Sequence, residues 1–486
     1  MDMADDIKAG DIIGNFRVTS VTPLYEQNET AVMLSHGPTG LQWLHFVADD
    51  PVSSCAIGTT TPVSDDRGIP HVLEHMVLKG SRRRPGTDLL RAMQNQTAAK
   101  SMGSYTFPSC TVYHFDSAVE SDMRTIFEVW FDAILRPELS EATFCREAGE
   151  ILRRKAARPV VDEMCENKGK LPDKIIEEAR RHLVPDNGLG FDILGRPDAI
   201  MSLTSDDVRI YHKRWYCPAN MRIVTRGREM PRTRLDIADK LLDGVEAGEA
   251  APPFSPQPRW NASRTAEIAV AAPNDAEEMP NQGLIWLLPD ASDYRASDAI
   301  DTFLCAINLA KIMNNAARPA VAKDDAFAQG WKYPRPTPEP HFTVVVRRIG
   351  PDKFLGIYGH FDPIYPGETL WTRTERELRK IFDDSKTAEW IAWAAKESAE
   401  RVVNVINDGE GLSKLAHNEA FKWVFHNWLF EDEPFYGLVS SRPLALGYQF
   451  ARDPDSVVKI VRDLLLDHPH RLDIAIREIK GRADRD

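Results

Sequence analysis

The sequence predicts an α+β protein built as two tandem, structurally related α+β domains, each a mixed or antiparallel sheet packed with helices. Three observations predict it. Strand-like segments come first, then helices, then a closing strand, which is not the strict βαβα alternation of a doubly wound parallel sheet. Residues 246–262 (EAGEAAPPFSPQPRWNA) carry Pro252, Pro253, Pro256 and Pro258 and break all periodicity, as a linker does. The element order after that stretch echoes the order before it, without a residue-level repeat. The expected organisation is therefore a domain over 1–245, a linker over 246–262 and a second domain over 263–486.

In the first domain, Phe16 to Val21, Ala31 to His36 and Leu41 to Ala48 cluster or alternate apolar residues around a Gly-Pro-Thr-Gly turn at 37–40, which predicts a β-meander. Pro70 at a first helical position predicts a helix start there. Thr87 to Gln94 reads as a helix, and Gly103 to Pro108 with Cys110 to Phe115 as paired strands. Met123, Ile126, Phe127, Val129, Trp130 and Ile134 recur at helical spacing and predict a core-facing helix from Glu120 to Leu135. A helix is expected from Ile175 to His182. Thr204 followed by Asp206 and Asp207 predicts the start of another, running to Tyr216, and Met221 to Gly227 reads as the closing strand. In the second domain, strands are expected at Ala266–Ala272, Gly283–Leu288, His341–Arg348 and Phe354–Gly359. Helices are expected at Ala296–Asn315, Glu368–Phe382, Thr387–Ile406, Lys414–Trp428 and Pro454–Leu466.

Composition excludes several classes. Hydrophobic residues at 43% and charged residues at 27% are globular values, and no apolar run is long enough for a membrane span. Sixty basic against seventy-three acidic side chains, a net charge of −13, disfavour nucleic acid as a partner. The six cysteines form no CxxC pair, so neither a disulfide framework nor a cysteine-based metal site is expected, and buried free thiols are. The acidic start, Met1 to Asp6, lacks the features of a secretory signal or transit peptide, which makes cytoplasmic residence the expectation.

The chemistry gathers at His71-Val72-Leu73-Glu74-His75. On a helix, positions i and i+4 share a face, so His71 and His75 can present two imidazoles to one ion, with Glu74 on the same turn. The order His-x-x-Glu-His marks the inverzincins, in which the acid acts as general base toward water. A histidine pair at this spacing also arises by chance and then only lines a helix, so the surrounding sequence must decide. Tetrahedral zinc needs a third protein ligand, and Glu147, Glu150, Asp162, Glu163 and Glu166 all compete for the place. Glu147 and Glu150 lie among Arg146, Arg153, Arg154 and Lys155, where a solvated helix face is the plainer expectation.

Around the motif, GIPHVLEHMVLKGSRRRP, then SYTFPSCTVY, then a helix ending in FDAILRP resemble the pitrilysin/insulinase superfamily of zinc metallopeptidases, and within it the N-terminal half of the presequence proteases. The likeness continues through Val160-Val161-Asp162-Glu163-Met164, Arg181 to Asp186, and Tyr211 to Asn220, and is weaker in the second half. It implies a Zn²⁺ site formed by His71, His75 and Glu163 with Glu74 as the catalytic base, and an endopeptidase activity on unstructured peptides. It implies also that substrate adds as a strand along Gly103-Ser104-Tyr105-Thr106. The family commonly has Asn where Gly103 stands, and removing one polar group that faces developing charge costs about 2 to 4 kcal/mol.

Family members are clamshells of two such halves, the zinc-free half supplying an Arg and a Tyr over the scissile bond. This chain has about the length of one half. Arg318 and Tyr333 are too far apart to be that pair, and Arg442 and Tyr448 lie near the wrong end of the domain. The resemblance thus implies a zinc-bearing subunit that pairs with a homologous zinc-free subunit. The competing expectations are a self-sufficient homodimeric peptidase and a non-catalytic structural subunit of the same fold.

Overall fold

The structure is a computed structural model. It describes residues 7–24, 29–99, 101–156, 171–185, 188–252, 260, 262–271, 279–288, 294–316, 342–349, 352–407, 441–467 and 470–479. The described residues form two compact units, the first drawn mainly from Met1–Asn167 and Phe191–Phe254, the second mainly from Lys168–Gly190, Ser255–Val403 and Ser441–Asp486.

The first unit is an eight-stranded sheet. Its strands are β1 (Ile12–Ile13), β2 (Phe16–Leu24), β3 (Glu29–His36), β4 (Gln42–Val47), β5 (Ser53–Thr60), β6 (Ser101–Thr106), β7 (Cys110–Ser117) and β8 (Met221–Gly227), in the spatial order β1-β2-β3-β4-β8-β5-β7-β6. The meander predicted over the N-terminal strands is present from β2 to β4. The sheet is mixed because β8 then inserts, parallel to β4 (Trp43 opposite Ile223) and antiparallel to β5 (Ile57 opposite Ile223). Period-two alternation sorts each strand between two faces. Val32, Trp43, Cys55, Tyr113 and Ile223 belong to the large core, whereas Ala31, Leu44, Ala56, Val112 and Val224 form a smaller cluster on the other face.

Helices cover the large-core face. Helix α1 (Ile69–Val77) buries Val72, Leu73, Met76 and Val77, and α2 (Leu89–Gln96) is capped by Asp88, whose side chain accepts from Arg91 N. Helix α3 has the predicted bounds, Glu120–Leu135, and its apolar stripe is core: Ile126, Phe127 and Trp130 are fully buried, Trp130 meeting Phe115 edge-on at 5.5 Å between ring centroids. Next come α4 (Glu141–Ala156) and the helix Ser205–Trp215, which starts at Thr204 with a reciprocal Thr204–Asp207 capping box.

The second unit has a five-stranded sheet of β9 (Arg264–Ala271), β10 (Gln282–Leu287), β11 (Thr343–Ile349), β12 (Asp352–Gly359) and β13 (Arg471–Ile479), ordered β11-β12-β10-β13-β9. Like the first sheet it is antiparallel but for one pairing, here β13 with β9. The helix Leu171–Leu183 belongs to this unit and packs on β9 and β11. The protein is thus the mixed α+β fold that the element order predicts.

Several expectations need correcting. The helix expected over Ala296–Asn315 is two helices, Tyr294–Ala306 and Leu309–Ala316, because the Asn308 side chain accepts from Lys311 N and starts a second helix there. The helix expected to reach Leu466 ends at Arg462 and continues as a wider turn over Asp463–Asp467. The helix Arg232–Leu242, the helix Ser441–Arg452 and β13 are additions that the sequence pattern does not predict. Cys55, Cys110 and Cys217 are buried free thiols, but Cys145 and Cys305 are exposed. No helix among the described residues is long and apolar enough to cross a membrane.

Candidate functional site

The site is built around α1, and what fixes α1 is its first turn. Gly68 precedes it in the left-handed region, φ 66°, a conformation that suits glycine. The space is equally restrictive, since a Cβ on Gly68 would lie 2.6 Å from Gly195 N and 2.8 Å from Leu194 C. The segment before it is tied down by Arg67, whose guanidinium bonds Asp65 and pairs with Asp207 on the capping box, and by Asp66, which accepts from Asp192 N and Arg196 N. Pro70 then occupies the first turn, where its missing N–H costs nothing.

With the apolar side of α1 in the core, His71 and His75 are left half-buried on one face, their rings edge-to-face with centroids 4.7 Å apart. Their Nε2 atoms converge to 3.1 Å. A tetrahedral ion with nitrogen ligands at about 2.0 to 2.1 Å places two such nitrogens about 3.3 Å apart, so the pair fits a shared metal ion. Among the described residues no group of three or more His, Cys, Asp or Glu side chains forms a metal-holding cluster. Glu163, the family's third ligand by resemblance, lies outside the described residues, as do Asp162 and Glu166.

Behind His75 stands Glu147. Its carboxylate Oε2 is 3.9 Å from His75 Nδ1, on the side of the ring away from the converging Nε2 atoms, and Arg146 Nε bonds its Oε1 at 3.0 Å. Burial pushes the Glu147 carboxyl up, but the contacts with His75 and Arg146 and the nearby charge of Lys79 outweigh it and hold the group below the usual carboxylate range. The expectation that Glu147 sits on a solvated face is therefore wrong. Thr143, Phe144, Glu147 and Ala148 are all buried, an i, i+1, i+4, i+5 pattern that turns this face of α4 inward. That spacing was the available signal, and the surrounding arginines masked it. A carboxylate behind a histidine fixes its ring orientation and tautomer, which is how such ligands are commonly held.

Glu74 points from α1 to the edge of the sheet. Strand β6 is the terminal strand, paired with β7 alone among the described residues. Ser104 Oγ donates to Glu74 Oε1 at 2.7 Å and Thr106 Oγ1 donates to Oε2 at 2.5 Å, so both carboxylate oxygens are held. Gly103 and Tyr105 face the other way, Gly103 opposite His114 and the Tyr105 ring stacked on that imidazole at 5.1 Å. The structure thus brings His71, Glu74, His75, Ser104 and Thr106 together, with Gly103 and Tyr105 on the same strand. Beneath lies a buried hydroxyl network that sequence reasoning missed: Tyr113 and Tyr216 meet at 3.1 Å, and Thr61 and Thr111 at 3.2 Å. Burial drives both tyrosines well above the ordinary phenol range, so they stay neutral hydrogen-bonding groups.

In the second unit, Arg318 and Tyr333 lie outside the described residues, as does the Arg442 side chain, while Tyr448 is exposed.

Comparison with known proteins finds relatives of both the sequence and the fold. The insulinase profile (peptidase family M16) matches residues 56–182, which include α1, β6 and α4, and the profile described as the M16 inactive domain matches residues 202–308. The mitochondrial presequence protease of Mus musculus is 30% identical over 302 residues, which cover 59% of this chain and 29% of that protein. The chain thus matches under a third of the length of such curated relatives. The crystal structure of the first half of the periplasmic protease PqqL from Escherichia coli superposes with a TM-score of 0.63 at 14% identity, covering 90% of each chain. A putative M16-like peptidase from Alicyclobacillus acidocaldarius gives a TM-score of 0.58 at 15% identity, covering 93% of this chain and 99% of that one. The motif helix, the edge strand and α4 thus fall inside a segment, residues 56–182, that is similar to the insulinase family of peptidases, family M16, and the chain shares the fold of the first half of PqqL.

Proposed function

We propose that this chain is the zinc-bearing subunit of a metalloendopeptidase that cleaves unstructured peptides inside a chamber completed by a second, homologous, zinc-free subunit. The observation that carries the reading is the convergence of His71 Nε2 and His75 Nε2 at 3.1 Å with the Glu74 carboxylate held on the same helix, beside a sheet edge that no other described strand covers. Zinc held by His71, His75 and, by resemblance, Glu163 would supply a Lewis acid that polarises the scissile carbonyl and acidifies water.

The chain's own residues do the rest. Glu74 takes the proton from the attacking water and returns it to the departing amine, a task for an acid that adjoins the ligands without being one. Glu147 holds the His75 ring in orientation from behind. Strand β6 receives the peptide as an added strand, which recognises main chain and tolerates many side chains, as fits unstructured substrates. The chain covers 46% of intact PqqL but 90% of its first half, which supports reading it as one half of a two-part enclosure.

The test measures zinc content and cleavage of a quenched fluorescent peptide by wild type and by Glu74→Gln, alone and co-expressed with a half-length homologue, with assembly followed by gel filtration. Zinc retained in both, activity lost in Glu74→Gln and appearance of activity with a heterodimer are expected. Full activity of the isolated monomer overturns the two-subunit reading, and no cleavage by any wild-type assembly overturns the peptidase reading.

A further inference from the structure

Strand β6 does two things at once, and the same residues do both. Phe107 N–H donates to Cys110 O across the β6–β7 turn at 2.8 Å, so at Phe107 the main chain faces β7. The register from Ser101 opposite Asp116 to Thr106 opposite Thr111 runs without a bulge. In an antiparallel pair, successive residues send their N–H and C=O to opposite sides. Gly103 and Tyr105 therefore bond β7, whereas Met102, Ser104 and Thr106 direct their main-chain groups to the outer edge, which no other described strand covers. Ser104 and Thr106 are also the residues whose hydroxyls hold Glu74 Oε1 and Oε2.

We infer that Ser104 and Thr106 are positioning residues that tie the catalytic base to the substrate main chain: each offers its peptide group to an added peptide strand and its hydroxyl to one oxygen of Glu74. This rests on the peptidase reading above and deepens it. A peptide laid on β6 is registered against the two residues that set the Glu74 carboxylate, so the bond presented to the base is fixed by strand register rather than by a side-chain pocket. Hydroxyls at alternate positions of one strand suit this because both reach the same helix-facing side. Each donates to one carboxylate oxygen and leaves that oxygen a lone pair for the proton in transit.

Two measurements test it on the zinc-loaded full chain, in whichever assembly cleaves the quenched peptide. First, Ser104→Ala and Thr106→Val each lower kcat by about 10- to 100-fold, the range for removing a hydrogen bond to a charged group, while KM stays within about twofold and zinc content is unchanged. The conservative variants Ser104→Thr and Thr106→Ser restore most of the rate. Second, residue-resolved hydrogen exchange on Glu74→Gln, with the uncleaved peptide at saturation, slows at the Ser104 and Thr106 amides, while those of Gly103 and Tyr105 are already slow in the free protein. Wild-type kcat in Ser104→Ala and Thr106→Val, or peptide binding without new protection at Ser104 and Thr106, overturns the proposal. Equal activity of wild type and Glu74→Gln overturns the base role of Glu74, and no cleavage by any wild-type assembly overturns the peptidase reading itself. The exchange result is independent of turnover and separates the two failures.

Discussion

Acid should unfold the first unit through two histidines that it holds neutral, His45 fully buried and His212 half-buried. His45 on β4 is fully buried, its Nδ1 2.8 Å from Thr225 Oγ1; burial first, and the positive charge of Arg234 second, push its pKa down to about 3. His212 lies against the Ile134 carbonyl at 2.9 Å, and burial, helped by Arg82, lowers it to about 4. Unfolded, both titrate near about 6.5. Between that value and the folded ones, the unfolded chain binds protons that the folded chain refuses, so stability is full above about pH 6.5 and falls as pH falls. At pH 5, about 1.5 units below the unfolded value, each histidine removes about 2 kcal/mol at 1.36 kcal/mol per unit, about 4 kcal/mol together. Urea titrations at pH 7, 6 and 5, read by hydrogen exchange on peptides from β4, β7 and α3, report the unit directly. His45→Asn keeps a partner for Thr225 without the titration, so it should remove about half of the pH slope whatever it does to stability at pH 7. A slope unchanged in His45→Asn refutes the argument.

Other expectations follow from single contacts. Gly68→Ala forces a Cβ into a left-handed position that costs about 1 to 2 kcal/mol and against the backbone of Leu194 and Gly195, so the melting temperature should fall by several degrees and zinc affinity with it. Thr204→Ala removes the capping box of Ser205–Trp215 and should cost about 1 kcal/mol in denaturant unfolding, with Thr204→Ser nearly neutral. Glu147→Gln takes the negative charge from behind His75 and should weaken zinc binding by about 10- to 100-fold in a competition titration with a chromogenic chelator, while activity at saturating zinc changes less. Unchanged affinity would leave Glu147 as a packing residue only.

What is legible in the sequence is local. The stripe of α3, the Thr204 start signal and the apolar residues of strands β3 and β8 each carry their evidence within a few residues, and their positions agree with expectation. What escapes depends on partners far away in sequence. Nothing in Met221–Gly227 announces that it inserts between β4 and β5, because register is set by cross-strand packing more than 160 residues distant (Gly58 opposite Arg222). The helix Arg232–Leu242 hides among its charges because one of its buried residues is Arg234, whose guanidinium reaches out to Glu120. Strand β13 does alternate, Leu472, Ile474 and Ile476 being buried, but its place between β10 and β9 is set by strands about 190 to 210 residues earlier in the chain (Ile474 opposite Gly283 and Ala266).

The same division runs through the site. The His71–Glu74–His75 arrangement is a consequence of helix geometry over five residues, so its convergence can be anticipated, whereas the partners of Glu74 come from a strand thirty residues on. Gly103 shows the limit most clearly. Against the family's Asn, a glycine reads in sequence as a missing polar group. In the folded sheet Gly103 is opposite His114, and a Cβ at 103 would lie 3.3 Å from His114 Nε2, tight for any side chain. The imidazole, stacked within 4° of parallel on the Tyr105 ring, lies over the main chain where an Asn side chain would begin. On this side of the edge strand the nearest polar ring at position 103 therefore comes from β7, and a Cβ there would require it to give by a few tenths of an ångström. Residues sharing one space couple energetically, so Gly103 and His114 are one arrangement that neither position reveals alone.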